Sequence, residues 1–327
     1  MVRTLIVIVT VSAFALAAPA SAAPRAFGVY VDPWHVGAWS ESVARAPQYV
    51  ARFEAFSRAA TLDSFLREAE RQRLGRVLVS WEPWRPVPDE LGVSEQFRPQ
   101  PGYRNADIAA GAQDAYIARF ARSLATFRGR VDLRYAHEMN GTWYPWSHDP
   151  VAYRRAWRHV VRVVRSQARN VRFVWSVNPS LFLSSRRWRR SVRIYWPGRR
   201  FVDAVGSTMI NFGGVKRYGV DRFTPRLRTL RRLYGKPVQL TEVSTARAGR
   251  VRWLRSLRRL VRRTPWIRSV AWFQHRSRGQ TQIEGAGRLD WDVQSDPRAA
   301  AALRGVMRAL AGRGAGRRAP VRSAPGP

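Results

Sequence analysis

Two patterns of apolar and polar positions alternate along this chain. Short apolar runs typical of buried strands occur eight times, at 27–31, 50–56, 77–81, 131–135, 171–176, 202–210, 238–241 and 267–273. Amphipathic stretches separate them. At 251–261, for example, apolar residues recur at steps of three and four while arginines fill the opposite face. Eight strand–helix units predict a parallel sheet that closes into a (β/α)8 barrel, although 50–56 could equally continue a helix.

The two ends of the chain depart from this pattern. Arg3, the apolar run 5–18 and the small residues 20–22 predict an export signal that is cleaved after about residue 22. The run is too short to span a bilayer comfortably, which disfavours the alternative of an uncleaved anchor. Residues 311–327 are mainly Gly, Arg, Ala, Pro and Ser, which predicts a disordered basic tail. We expect a signal peptide at 1–22, one barrel domain at 23–310, no transmembrane segment after cleavage, and a secreted or cell-envelope monomer.

Composition adds a strong positive charge. The formal net charge is +36, and cysteine is absent, so the exported domain depends on its core rather than on disulfides. Such a charge attracts acidic polysaccharides, anionic surfaces and nucleic acid alike, and solvated arginine on helix faces is the simpler explanation. The segment SSRRWRRSVR, 184–193, follows the fifth strand, which favours an anionic glycan over specific binding of nucleic acid.

Two glutamates stand where a barrel places its chemistry. Glu138 lies just past the fourth apolar run and Glu242 at the end of the seventh. Because the carboxyl ends of barrel strands meet at one face, we expect the two side chains to lie across the barrel mouth from each other. A facing pair of carboxyl groups is the equipment for cleaving a glycosidic bond. A buried ion pair with an arginine is the competing interpretation of Glu242.

The chain resembles the family 26 glycoside hydrolases. The resemblance rests on FGVYVDPW from residue 27, VSWEPW from 79, RYAHEMNGTWYPW from 134, NVRFVWSVNPS from 170, IYWPGRRFVDAVG from 194, KPVQLTEVS from 236 and SVAWFQ from 269. It implies a (β/α)8 barrel and a retaining reaction with Glu138 as acid/base and Glu242 as nucleophile. Direct attack needs the two carboxyl groups about 5 to 5.5 Å apart.

The same resemblance and the strand ends supply candidate substrate contacts. His137, Asn140 and Trp143 belong to the motif around the acid/base, and Arg134 is a candidate to hold a carboxylate in its ionised form. The remaining candidates follow other strands, and core packing or turn capping is the alternative for most of them: Trp81, Trp84, Asn178, Asn211 and Trp272. The five histidines show no ligand spacing, so we expect neither a metal nor a cofactor.

One departure from the family bears on the substrate. Family mannanases commonly carry an aspartate and a tyrosine at the end of the sixth strand, where this chain has Thr208 and Ile210, with Asn211 and Phe212 as possible substitutes. We therefore expect a secreted hydrolase of a β-linked polysaccharide that is either mannan-like or an acidic exopolysaccharide. The alternative is a catalytically silent polysaccharide-binding protein of the cell envelope.

Overall fold

The computed structural model describes residues 24–56, 61–87, 97–213, 218–275 and 290–311. Eight parallel strands close a barrel in sequence order, and the last strand pairs with the first. The strands are β1 Ala26–Val29, β2 Tyr49–Ala55, β3 Arg76–Glu82, β4 Arg130–Tyr135, β5 Val171–Val177, β6 Ala204–Asn211, β7 Val238–Thr245 and β8 Ile267–Trp272. The predicted (β/α)8 barrel is confirmed.

Helices surround the barrel within the described ranges. They are α1 Val36–Val43, α2 Leu62–Arg71, α3 Asn105–Ala109, α4 Asp114–Thr126, α5 Pro150–Gln167, α6 Ser185–Ile194, α7 Val220–Tyr234, α8 Arg250–Arg263 and α9 Pro297–Ala311. None of the helices in the described part of the chain is long and apolar enough to cross a membrane.

Helix α5 shows how the local sequence builds one of these units. Asp149 caps it by accepting hydrogen bonds from the backbone N–H groups of Val151 and Ala152, and Pro150 occupies the first turn, where its missing N–H does no harm. The apolar stripe then faces the barrel. Trp157 packs against Tyr135 of β4 and Phe173 of β5, with ring centroids 5.7 and 6.0 Å apart.

The predicted strands are all present, with changes at their ends. The ambiguous run 50–56 forms β2, and β7 continues four residues past the predicted end, to Thr245. The composition of residues 85–112, rich in Pro, Gly and polar groups, predicts a long loop after the third strand, but part of that region is helix α3. Residues 88–96 lie outside the described residues, as do the predicted signal peptide and all but Ala311 of the predicted tail, so those expectations stay predictions.

The barrel interior contains a polar layer below the carboxyl ends of the strands. Asp132 of β4 forms ion pairs with Arg76 of β3 and, at 3.2 Å, with Arg130. Gln239 of β7 donates to Asp132 at 3.2 Å and accepts from Arg76 at 2.9 Å. Since Asp132 and Arg134 are two residues apart on β4, both side chains face the interior. Arg134 thus stands one step closer to the carboxyl ends of the strands.

Candidate active site

A cavity of about 630 Å³ contains both glutamates. Its polar lining includes Glu138, Glu242, Thr208, Asn178 and Ser180. The rest is largely aromatic and aliphatic: Phe97, Trp143, Tyr144, Leu181, Phe182, Ile210, Phe212, Tyr218, Phe223, Phe273 and Trp291. A concave, mostly apolar site with a few polar groups is the usual form of a ligand-binding pocket.

Glu138 is held by a strained turn after β4. Its φ of 54° lies in the left-handed region, which disfavours residues other than glycine by about 1 to 3 kcal/mol. The turn is stabilised because the backbone N–H of Glu138 donates to Ser176 O on the neighbouring strand, at 2.8 Å. The Thr208 hydroxyl of β6 donates a short hydrogen bond to the Glu138 carboxyl group. Strain of this kind is often found where a side chain is positioned for function.

Glu242 reaches the cavity through a bulge in the sheet. Ser207 of β6 pairs with Leu240 of β7, but the next residue, Thr208, pairs with Glu242, so β7 contains one extra residue. Strict alternation would direct Glu242 outward, as it directs Leu240. The bulge instead allows Thr241 and Glu242 both to face the interior, which is how bulges redirect side chains beside active sites.

A buried arginine joins the two carboxyl groups. Arg134 Nη2 lies 2.6 Å from Glu242 Oε2 and 3.5 Å from Thr208 Oγ1, while its Nη1 donates to Ser80 Oγ at 3.0 Å. The arginine thus contacts Glu242 directly but reaches Glu138 only through Thr208. This asymmetry gives the two carboxyl groups different electrostatic environments.

Burial and charge oppose each other at Glu242. Burial raises the pKa of Glu242 above its ordinary value, Arg134 opposes this rise, and the nearby Glu138 adds to it. Burial alone would lower the pKa of Arg134, but Glu242, Tyr30 and Glu138 outweigh it, and that pKa is raised. The arginine therefore stays charged.

His137 and Tyr144 form a neutral pair beside the glutamates. His137 Nε2 and the Tyr144 hydroxyl are hydrogen-bonded at 3.1 Å. Burial, followed by the charge of Arg134, lowers the pKa of His137 well below its ordinary value, so the imidazole is neutral at physiological pH. Burial and then Glu138 raise the pKa of Tyr144, which keeps its hydroxyl protonated at the cavity wall. His137 supports Tyr144 and does not itself line the cavity.

Asn140 positions a neighbouring loop. Its side-chain amide donates to Asn178 O at 2.9 Å, and its carbonyl accepts from Asn178 N at 2.8 Å. Asn178 lines the cavity, but Asn140 does not. Trp143 lines the cavity, and its ring lies so close to Gly141 that a Cβ there would come within 2.6 Å of it. A glycine at this position is therefore needed for the ring to lie against the backbone.

The expected sugar contacts of Trp81 and Trp272 are corrected. Trp81 is fully buried and stacks on Phe120 of α4 at 4.2 Å, on the outer side of the barrel wall. Trp272 is also fully buried, and the cavity is lined instead by the next residue, Phe273. Adjacent strand residues point to opposite faces, so an offset of one position separates a core residue from a cavity residue.

Trp84 and Asn211 also lie away from the cavity surface. Trp84 packs behind the wall against Tyr144, with ring centroids 5.6 Å apart. Asn211 donates to Thr245 Oγ1 at 2.8 Å and accepts from Tyr218 N at 2.8 Å, so it organises the end of β6 rather than facing the pocket. Its expected substrate contact is corrected accordingly. Phe212 and Ile210 are the residues from this strand end that line the cavity.

The arginines of 184–193 do not line the cavity. Trp188 within that segment is completely buried, donates to Asn178 O at 3.0 Å and lies beneath Arg226, whose guanidinium is 4.7 Å from the ring centroid. It is therefore a packing residue. Among the described residues, the charged side chains that line the cavity are the two glutamates, so the described arginines are not concentrated there.

Several cavity residues were not among the sequence candidates. Tyr144 belongs to the motif RYAHEMNGTWYPW but was not predicted to contact the substrate. Thr208 was predicted only to depart from the pattern of the family mannanases. Phe273 and Phe182 carried no signal without knowledge of the strand faces and of the β5 loop. Among the described residues, no group of three His, Asp or Glu side chains is arranged to hold a metal ion.

Comparisons with known proteins place the chain in a family. It is 27% identical over 245 residues to Endoglucanase H of Acetivibrio thermocellus, an alignment that covers 70% of this chain and 24% of that much longer protein. It shares its fold with a GH26 β-mannanase from Bacteroides ovatus (TM-score 0.55, 15% identity, 86% and 88% of the two chains). The chain also shares its fold with fungal β-1,4-galactanases (TM-score 0.62, 12% identity, 86% and 100% of the two chains covered). The sequence model of glycosyl hydrolase family 26 matches residues 108–275, and the chain therefore belongs to glycosyl hydrolase family 26.

Proposed function

We propose that this protein is a secreted, retaining glycoside hydrolase that cleaves internal β-glycosidic bonds of a polysaccharide, with Glu242 as nucleophile and Glu138 as acid/base. The observation that carries the proposal is that two glutamates from distant parts of the chain line one cavity with aromatic walls. Family membership supports the reaction class.

The contacts of Arg134 support this division of roles. A nucleophile must be ionised, and a guanidinium 2.6 Å from Glu242 favours the carboxylate form of that residue. Glu138 instead accepts a hydrogen bond from the neutral hydroxyl of Thr208. In this division of roles Glu138 is the general acid, and the cationic partner is bound to Glu242 rather than to Glu138.

The first step breaks the glycosidic bond. A Glu242 carboxylate oxygen attacks the anomeric carbon while Glu138 gives its proton to the departing glycosidic oxygen. The leaving sugar departs as an alcohol, and the remaining sugar is esterified to Glu242. Glu138 is now a carboxylate, so it is ready to act as a base.

The second step releases the sugar and restores the enzyme. Glu138 takes a proton from water as the water oxygen attacks the anomeric carbon, and the bond to Glu242 breaks. Two inversions give net retention of configuration. This two-step mechanism requires the carboxyl groups of Glu138 and Glu242 to lie about 5 to 5.5 Å apart.

The substrate class is narrowed by the cavity and the relatives. Within the described part of the chain, both charged residues of the lining are acidic and would repel a uronate placed between them, so the described lining favours a neutral β-glycan over an acidic one. The sequence relative is named an endoglucanase, and a fold relative is a β-mannanase. Because Thr208 and Ile210 replace the usual mannanase residues of the sixth strand, β-glucan is the first substrate to test and mannan the second.

A substrate panel tests the proposal. The mature protein is incubated with mixed-linkage β-glucan, carboxymethylcellulose, mannan, xylan and an acidic exopolysaccharide, and reducing ends are measured at low and high salt. We expect release from a neutral β-glycan with little response to salt. Release confined to the acidic polymer would contradict the neutral assignment, and the absence of release from every polymer would contradict the hydrolase.

A catalytically silent polysaccharide-binding protein is the second candidate. The departures at Thr208 and Ile210 favour this candidate, because the aspartate and the tyrosine that family mannanases commonly carry at the end of the sixth strand are replaced. Binding of a panel polymer with no turnover by the parent protein would support this candidate over the enzyme.

A further inference from the structure

The loop after β5 carries an exposed aromatic ring at the edge of the cavity. Phe182 is 73% exposed, the most exposed of the four large apolar side chains that are exposed in the described ranges. The other three, Trp34, Val151 and Ile194, do not line the cavity. A single exposed apolar residue is ordinary in itself. Its place on the lining of the cavity that contains the two glutamates is what needs an explanation.

The loop is rigid on both sides of this ring. Ser180 has a φ of 39°, a left-handed conformation that its neighbours hold in place. The side-chain carbonyl of Asn178 accepts from Ser180 N at 2.7 Å and from Ser180 Oγ at 3.1 Å. Leu183 N then donates to Ser180 O at 2.9 Å, which closes the turn around Phe182. The ring is thus displayed by an ordered turn.

Contacts with the rest of the fold anchor the same loop. Asn140 forms its two hydrogen bonds to the Asn178 backbone, and Trp188 Nε1 donates to Asn178 O at 3.0 Å. On the far side, the Arg226 guanidinium donates to Leu183 O at 2.6 Å. A ring displayed from a backbone that is ordered before a ligand arrives costs less conformational entropy on binding than a ring on an unanchored loop.

We propose that Phe182 is an aromatic platform for a sugar of the leaving group, and this inference rests on the proposed hydrolase function. The acid/base protonates the leaving oxygen, so the departing sugars lie on the side of Glu138. The Asn140–Asn178 hydrogen bonds join the loop that carries Phe182 to the loop that carries Glu138. The platform therefore belongs to the leaving-group side of the cleavage point.

The chemistry of the platform selects a class of ligand. A β-linked pyranose with mostly equatorial hydroxyl groups presents a flat face of C–H groups, which packs against an aromatic ring and covers apolar area on both partners. Phe182 adds no charge or hydrogen-bonding group. The contact therefore selects for chain length on the leaving-group side rather than for the identity of one hydroxyl.

Binding measurements test the platform independently of turnover. Glu242→Gln protein, with and without Phe182→Ala, is titrated by calorimetry with cellohexaose and cellotriose and with mannohexaose and mannotriose. We expect Phe182→Ala to weaken hexasaccharide binding about five- to tenfold, more than it weakens trisaccharide binding. Phe182→Tyr should restore the affinity. Ile194→Ala, which removes another exposed apolar side chain, is the matched control and should leave both affinities unchanged.

The position of cleavage tests whether the platform lies on the leaving-group side. Parent protein and Phe182→Ala protein, both with Glu242 intact, are given a reducing-end-labelled hexasaccharide, and the labelled products are compared. Loss of a leaving-group platform should shift cleavage toward the reducing end, because fewer sugars are then held beyond the cleavage point. An unchanged affinity, a shift toward the other end, or the absence of binding to all four oligosaccharides would overturn the inference. If the parent binds the hexasaccharide but does not cleave it, the hydrolase proposal fails, while the calorimetric comparison still decides the platform.

Discussion

Two arginine–carboxylate pairs are buried in the same barrel, and they have different surroundings. In the lower pair, Asp132 is surrounded by Arg76, Arg130 and Gln239, all of them protein groups. In the upper pair, Glu242 has Arg134 on one side and the cavity, with Glu138, on the other. A buried ion pair alone therefore does not identify an active site. What marks the upper pair is a carboxyl group that also faces a cavity and a second carboxyl group.

The largest expected difference between the pairs is in activity. Glu242→Gln removes the proposed nucleophile while keeping its size, and we expect turnover to fall by roughly four orders of magnitude. Initial rates on the preferred glycan measure this, with circular dichroism as a check on folding. Azide added to Glu242→Ala protein should restore turnover and give a glycosyl azide of inverted configuration. Near-parental activity of Glu242→Gln would assign the nucleophile elsewhere.

A substitution in the lower pair should instead reduce the stability of the fold. Asp132→Ala leaves the buried Arg76 and the partly exposed Arg130 without their shared carboxylate, and we expect a loss of about 3 to 5 kcal/mol in the free energy of unfolding. Urea denaturation followed by fluorescence measures it. At a temperature where the variant is folded, kcat should stay close to the parental value, because Asp132 does not face the cavity. A large loss of kcat with unchanged stability would reverse the roles assigned to the two pairs.

The pH dependence tests the charge on Arg134. Arg134 lowers the pKa of Glu242 against the effect of burial, so Arg134→Met should raise that pKa further. The nucleophile acts when ionised, and activity is therefore lost as the pH falls through its pKa. The acidic limb of the kcat/KM profile should move to higher pH in the variant. Arg134→Lys keeps the charge and is the control, for which we expect a smaller displacement. Coincident acidic limbs in all three proteins would show that Arg134 does not tune Glu242.

The smallest expected effect concerns the link between the two carboxyl groups. Thr208→Val removes the hydroxyl that donates to Glu138 and keeps the shape of the side chain. We expect kcat to fall about three- to tenfold with little change in KM, which corresponds to the loss of one hydrogen bond. Steady-state kinetics on a defined oligosaccharide measure this. Ser207→Ala, on the adjacent position of β6, is a suitable control. An effect confined to KM would indicate that Thr208 contacts the substrate instead.

The sequence was sufficient to predict the barrel and the position of both glutamates. Apolar runs alternating with amphipathic helices leave few other folds, and strands in a barrel end at a common face. The placement of Glu138 after β4 followed from that rule alone. The placement of Glu242 followed from it only in part, because the bulge that turns this side chain inward depends on how β6 and β7 pair.

Side-chain direction explains the tryptophans that were misassigned. Trp81 shares its parity with Val77 and Val79, and all three face the helices, so the alternation along β3 contained the answer. Trp81 was nevertheless assigned to the substrate because it is a large aromatic residue near the end of a strand. Phe182 differs, because its exposure depends on hydrogen bonds from Asn178, Asn140 and Arg226, which come from separate parts of the chain. No local pattern in the sequence indicates such a loop.

The most direct test of the central claim is to trap the covalent intermediate. The parent protein is treated with a slow fluorinated glycosyl inactivator of the preferred sugar and digested, and the labelled peptide is sequenced by mass spectrometry. We expect one fluorinated sugar per chain, attached to Glu242, and accumulation of the corresponding non-fluorinated ester of Glu242 in Glu138→Ala protein that is given an activated aryl glycoside. A label on any other residue, or hydrolysis by the parent with inversion of configuration, would contradict it.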